Sequence, residues 1–271
     1  MAEILCSTGA ILGRPNGRDF HLLEDFSKRL DFDGFELLIY DDWYSDVDHL
    51  ISFLQGLELN IPVIHCDKNI GELISIGGEE NFKKALDILE INCRIATNVG
   101  ARKLVLHLWS GVPSDKTFEN NIGMYPKLIE VSDFYNLTLL VENVVCNQKD
   151  PMTRCLELLE YYPEIGFVYD TKMAEFHQQA DLLYLPQNDI YAKNIRHYHV
   201  NDYGGDYMDW NNLRVLTIGS GHVDFERFFK YIKDIGYDET ITLEATGFDS
   251  NGNINFEMLN AQIPLIKEYL R

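Results

Sequence analysis

Eight short β-rich apolar runs alternate with longer amphipathic segments from one end of this chain to the other. They are EILCST (3–8), GFELLIY (34–40), PVIHC (62–66), KLVLHLW (103–109), TLLVEN (138–143), IGFVYD (165–170), IRHYHV (195–200) and TITLEA (240–245). The runs are nearly continuous rather than alternately polar and apolar, the pattern of strands buried on both faces. Repeated strand–helix units of this kind build a parallel sheet covered by helices. At 271 residues the chain is close to the ~250 usual for an eight-stranded barrel, so the expectation is an α/β fold in the form of a single (β/α)8 TIM barrel. A doubly wound open sheet competes with it. No GxGxxG follows the first run, however, and an open sheet would not gather the ends of four successive strands. No Pro-, Gly- or Ser-rich linker interrupts the series, and residues 1–271 read as one domain.

Helical periodicity is clearest at 81–100, where Phe82, Ala85, Leu86, Leu89, Cys93 and Ala96 recur at i, i+3, i+4 and Gly100 ends the segment. It returns where Phe225, Phe228, Phe229, Ile232 and Ile235 precede Gly236.

Four of the runs end in side chains that bind divalent cations, Glu142, Asp170, His199 and Glu244, separated by 28, 29 and 45 residues. Parallel strands deliver such ends to one mouth, and the C-terminal strand ends are where barrel active sites lie. Any one of these residues alone reads as a polar group at a solvent-facing strand end. Together they form an oxygen-rich set with one imidazole, suited to Mn²⁺, Mg²⁺, Co²⁺ or Zn²⁺, with positions left for two neighbouring substrate oxygens. His197 shares the side of its strand with His199, so spacing alone leaves either as the ligand. His65 and His107 end the third and fourth runs and are candidates for substrate binding or a second metal. Trp109, at the end of the same run as His107, is a further substrate-binding candidate.

Asp202 reads as a substrate contact or a loop cap, and His177 as a weaker candidate. Residues 203–217, YGGDYMDWNNLRVLT, carry Tyr203, Tyr207, Trp210, Arg214 and glycine hinges, and read as a lid or as an ordinary surface loop. GSGHVDF (219–225) either holds a phosphate at a helix N-terminus or only shapes a turn, with Asp224 capping the helix.

The net charge of −20, from 43 acids and 23 bases with no basic cluster, argues against a nucleic-acid partner. No apolar stretch approaches the roughly 20 residues of a membrane span. The start, MAEILCSTGAIL, has no basic residue before its apolar stretch, so no secretory signal is read and a cytoplasmic location is expected. Five scattered cysteines without a CxxC pair suggest neither a disulfide framework nor a thiolate zinc site, and read as buried free thiols.

The motifs VEN, YDT, HVND and IGSGHVDF, followed by a helix ending IGYDETITLEATG, resemble in this order the xylose isomerase-like barrel superfamily of sugar isomerases, epimerases and endonuclease IV-type enzymes. The resemblance is most specific from about 138 to 247. Its ketose epimerase and inosose-processing branch holds one divalent metal with Glu, Asp, His and Glu on successive strands. For this chain that implies Glu142, Asp170, His199 rather than His197, and Glu244. It also implies that Glu142 and Glu244 are catalytic acid and base on opposite faces of the substrate, and that Arg214 binds a substrate hydroxyl. The endonuclease branch shares His65, His107, Glu142, Asp170, His199 and Glu244, but uses three metals. Met173, Leu213 and Val215 stand where three of its ligands would be, so DNA repair is not expected. The resemblance thus implies a metal-dependent isomerase or epimerase of a small polyhydroxylated substrate, working by enediolate proton transfer. An inosose-type dehydratase and a non-catalytic metabolite-binding barrel are the alternatives, and homo-oligomerisation is left open.

Overall fold

The structure, a computed structural model, describes residues 2–271. Eight parallel strands, β1 (Glu3–Ser7), β2 (Gly34–Leu38), β3 (Val63–His65), β4 (Lys103–Leu106), β5 (Thr138–Glu142), β6 (Gly166–Asp170), β7 (Ile195–Val200) and β8 (Thr240–Leu243), follow one another around a closed barrel. Closure is made by β8 pairing with β1, Ile241 opposite Ile4 and Leu243 opposite Cys6. The ladders are mostly shorter than the apolar runs because the last residues of several runs leave the strand pairing while staying buried. His107, Leu108 and Trp109 past the end of β4 are the clearest case.

Side chains alternate between the two faces of each strand, and the alternation sorts the barrel into an outside and an inside. The outward set, including Ile4, Leu37, Ile64, Leu104, Leu139, Val141, Phe167 and Ile241, packs with the surrounding helices into one large apolar cluster. Inside, Leu5, Val63, Val105, Leu140 and Val168 form a separate small cluster. The interior at β2, β7 and β8 is instead polar, with Glu36, His197 and Thr242 fully buried. Two residues beyond this layer the same inward positions are His65, His107, Glu142, Asp170, His199 and Glu244. Period-two geometry therefore brings all six to the C-terminal mouth.

The helix Glu79–Val99 buries Ala85, Leu89, Cys93 and Ala96 and ends at Gly100, whose φ of 82° is the left-handed conformation that favours glycine. Phe82 and Leu86 are only half-buried against the core. In the helix Phe225–Asp234, Phe225, Phe228, Phe229 and Ile232 are buried and Asp224 caps the first turn. Ile235 departs from the apolar face expected of it and is 48% exposed, since the helix stops one residue earlier. All five cysteines are free and buried. Among the described residues no helix is long and apolar enough to cross a membrane.

Candidate active site

At the mouth, Glu142 ends β5, Asp170 ends β6, His199 lies one residue from the end of β7, and Glu244 follows β8. One ligand atom from each of the four lies within 4.8 Å of every other. His199 is central: its Nδ1 is 3.2 Å from Glu142 Oε1 and 3.6 Å from Glu244 Oε1. Its Nε2 points the other way, into the barrel, 3.1 Å from Glu36. Spacing left His197 and His199 equivalent, and the layers separate them. His197 sits one layer deeper with both ring nitrogens engaged, Nδ1 with Thr240 Oγ1 at 2.7 Å and Nε2 with Glu36 Oε2 at 2.8 Å.

The third residues of the motifs VEN, YDT and HVND tie the strand ends together. Asn143 accepts from the Asp170 amide at 2.6 Å and donates to the Asp170 carbonyl at 3.2 Å. The Thr171 hydroxyl donates to the Asn201 carbonyl at 2.7 Å. Asn201 Nδ2 donates to Asp170 Oδ2 at 2.9 Å, while Asp170 Oδ1 accepts from the Met173 amide and so caps the helix Thr171–Phe176. The Asp170 side chain is thus oriented by two bonds before any ligand arrives.

Burial would raise every carboxyl here, and the neighbours decide the outcome. For Glu142 the His107 and His199 imidazoles overcome burial and hold it well below the ordinary glutamate range. Glu244 is likewise lowered against its burial, chiefly by His199. Asp170 goes up, from burial and then the Glu142 and Glu244 charges, with Lys172 offsetting part. His199 is raised well above the usual imidazole value, the Glu36, Glu244 and Glu142 carboxylates outweighing burial. His107 is lowered to about 4 by burial, so it is neutral near pH 7.

Crowded carboxylates around one imidazole are a donor set with a deficit of positive charge, which a divalent cation supplies. Buried polar atoms point to the same place. Among the described residues, Glu142 Oε2, His65 Nε2 and both His107 ring nitrogens have no hydrogen-bond partner. His107 Nε2 is 2.7 Å from Glu142 Oε2, close enough for a bond but not aligned for one. The residues present therefore fit a cation held by Glu142, Asp170, His199 and Glu244.

Two clefts open at the mouth, the first bounded by His107 and the second by Glu244. One, of about 540 Å³, is lined by Lys68, His107, Ser110, Val144, Asn147, Met173 and Trp210 among others. A smaller one of about 130 Å³ lies by Glu244, between Ser7, Gly9, Leu38, Lys68 and Val215. The 203–217 segment contributes a wall to each, Trp210 to the first and Val215 to the second. Trp210 packs edge-on against Phe176, with ring centroids 4.9 Å apart.

Residues 25–262 match the family model of the xylose isomerase-like TIM barrels. The chain belongs to this family. An uncharacterized protein of Methanocaldococcus jannaschii is 25% identical over 256 residues, covering 88% of this chain and 80% of that protein. Among solved structures, a D-tagatose 3-epimerase-like protein superposes with a TM-score of 0.70 at 20% identity, covering 99% of this chain and 97% of that one. An L-ribulose 3-epimerase gives 0.72 at 17% identity, covering 100% and 95%. At these identities the two structures establish a shared fold.

In this xylose isomerase-like barrel several residues expected to touch substrate are placed otherwise. Trp109 is fully buried against Phe118, and its Nε1 donates to the Val144 carbonyl at 2.9 Å, so the indole supports the β5 loop. Asp202 spends both oxygens on backbone amides: Oδ1 accepts from Tyr203 and Val223, Oδ2 from Gly219 and Gly221. That is the capping alternative, and it also leaves the 219–223 turn without free amides for a phosphate. Gly221 is required there, because a Cβ would fall 2.2 Å from the Tyr203 carbonyl oxygen. Arg214 is exposed and lines neither cleft. Tyr203 is buried rather than part of a mobile cover, and Gly205, expected as a hinge, is closely packed under the Tyr203 ring. His177 accepts from the Cys146 amide at 3.1 Å and so braces the loop after β5. His65 and His107 do lie at the mouth, 3.5 and 2.7 Å from Glu142 Oε2.

Residues passed over in the sequence also belong to the site. Glu36 is buried under His199, and its signal was an acid inside the otherwise apolar run GFELLIY. Asn143, Thr171 and Asn201 stood inside the motifs VEN, YDT and HVND, the first two next to a candidate ligand and Asn201 two residues past His199. Lys68 lines both clefts and had no sequence signal, being one lysine in an ordinary loop.

Proposed function

We propose that this protein is a divalent-metal-dependent sugar isomerase or epimerase that moves a proton on a carbon next to a carbonyl. The observation that carries the reading is the convergence of Glu142, Asp170, His199 and Glu244 within 4.8 Å of one another at the mouth of the barrel, beside clefts sized for a small molecule. The names of the D-tagatose 3-epimerase-like protein and the L-ribulose 3-epimerase of the same fold agree with it. A cation held by Glu142, Asp170, His199 and Glu244 would supply Lewis acidity, easing the loss of a C–H proton next to a carbonyl.

The chain's own residues do the rest. Glu142 and Glu244 are ionised, by the effect of the imidazoles beside them, and so are able to accept a proton from carbon. Glu244 takes or returns the proton on the side of the small cleft that it lines, and Glu142 on the opposite face. Neutral His107 and the Lys68 side chain lie at the large cleft, where they bind substrate hydroxyls. Trp210 and Val215, from the 203–217 segment, exclude water from the reacting carbon.

The test is deuterium incorporation from D₂O into a panel of ketoses and aldoses by protein loaded with Mn²⁺, Mg²⁺, Co²⁺ or Zn²⁺. Exchange is expected next to the carbonyl, and Glu142→Gln and Glu244→Gln should each slow it about 10²–10⁴-fold at saturating metal. Product mass separates epimerisation from loss of water. No exchange across the panel under any of the metals would sink the proton-transfer reading and favour a barrel that binds without turnover.

A further inference from the structure

The interior of an eight-stranded barrel is ordinarily filled by branched apolar side chains. Here one carboxylate, Glu36, stands among them on β2, fully buried, with partners from strands more than 160 positions away in the chain. Its Oε2 accepts from His197 Nε2 at 2.8 Å and from Thr242 Oγ1 at 2.7 Å. Both its oxygens lie 3.1 Å from His199 Nε2.

The direction of these bonds can be followed from the far end of the barrel. Lys103 Nζ, held by Glu239 at 2.6 Å, has only protons to give, and donates to Thr240 Oγ1 at 3.2 Å. The Thr240 hydroxyl takes that proton on one lone pair and lies 2.7 Å from His197 Nδ1. The Glu36 carboxylate can only accept, so the one N–H of a neutral His197 ring sits on Nε2 and points at it, and Nδ1 accepts from the Thr240 hydroxyl. Donors from the bottom of the barrel thus converge on an acceptor-only group. On the other side of that group His199 keeps its N–H on Nε2, so Nδ1, which faces Glu142 and Glu244, is the nitrogen that would be bare when a cation is held there.

We infer that Glu36 is a positioning residue for the cation site: it holds the Nε2–H of His199 and so presents Nδ1 of that ring, in one tautomer and one orientation, to the metal. The inference rests on the metal reading of the site given above. Partners of this kind raise the basicity of a ligand histidine and fix its ring, and their removal commonly costs 10–100-fold in metal affinity.

The experiment measures Mn²⁺ affinity by calorimetry, and the His199 tautomer by ¹⁵N–¹H correlation of the Zn²⁺-loaded protein, in wild type, Glu36→Leu, Glu36→Gln and Thr242→Val. Glu36→Leu should weaken Mn²⁺ binding towards the 100-fold end of that range and remove the fixed Nε2–H signal. Glu36→Gln keeps one carbonyl acceptor for two imidazole donors, and should lose nearer 10-fold. It decides the matter on its own if the leucine variant does not fold. Thr242→Val, which removes one donor to Glu36 and touches no ligand, should leave the His199 tautomer unchanged. Wild-type affinity in the Glu36 variants, or a His199 proton found on Nδ1 in the wild type, overturns the role of Glu36 alone. No Mn²⁺ or Zn²⁺ binding by the wild type overturns the metal reading, and the use of Glu36 with it.

Discussion

Asp202 shows how a residue's type and its place can point to different work. Next to HVN and near the mouth, a carboxylate reads equally as a substrate contact and as a cap. Its two oxygens meet four backbone amides, from Tyr203, Gly219, Gly221 and Val223. Asp202→Asn turns one oxygen into a donor facing two of those amides, so it should destabilise the protein by on the order of 2 kcal/mol or more, read from the urea midpoint. Faster exchange of the Gly219 and Gly221 amides should accompany it. Unchanged exchange there would mean the turn holds without the carboxylate. Glu142, Asp170, His199 and Glu244 were legible because each ends its own apolar run. Glu36 showed only as an acid inside an apolar run; its role was not legible, because its partners His197, His199 and Thr242 lie 161, 163 and 206 positions away.

At the scale of elements, the eight strands could be read from composition because strands buried on both faces need unbroken apolar runs. Their ends were less legible. Whether His107 to Trp109 belong to a strand or a loop depends on where the neighbouring strand stops pairing. The loop after β5 is a case where side chains from elsewhere supply the structure. Asp115 accepts from the amides of Asn147, Gln148 and Lys149, and His177 from that of Cys146. Burial lowers the His177 pKa to about 4, with Asp150 and Asp115 offsetting part of the effect. In the unfolded chain the same group titrates near 6.5, so between these values the unfolded state binds more protons than the folded one. The stability His177 contributes is therefore full above pH 6.5 and is lost as pH falls towards 4. Urea midpoints measured from pH 7 to 4.5 should drop more steeply in the wild type than in His177→Gln. Equal slopes would show that the carboxylates alone set the acid response.

For the molecule as a whole, the mouth gathers like charges in a chain that already carries a net −20. That arrangement opposes folding in the absence of a cation, and Asp170, raised by burial and by Glu142 and Glu244, registers the cost. A metal that binds only the folded barrel adds about 2.7 kcal/mol at a hundred times its Kd. Melting curves should accordingly shift upward with Mn²⁺, Mg²⁺, Co²⁺ or Zn²⁺ and fall back with EDTA, and Asp170→Asn should blunt the shift. A midpoint indifferent to all four metals would contradict a cation site at the mouth.

The distribution of the thiols gives this barrel a set of internal clocks. Cys6 lies on β1, Cys66 just past β3, Cys93 and Cys155 on two different helices, and Cys146 in the loop braced by His177, all shielded from solvent. Burial pushes the Cys6 and Cys93 thiols up to about 12, so neither is a reactive thiolate while the barrel is closed. A thiol reagent applied in short pulses then counts openings rather than exposure, and each modified position names the part of the ring that came apart.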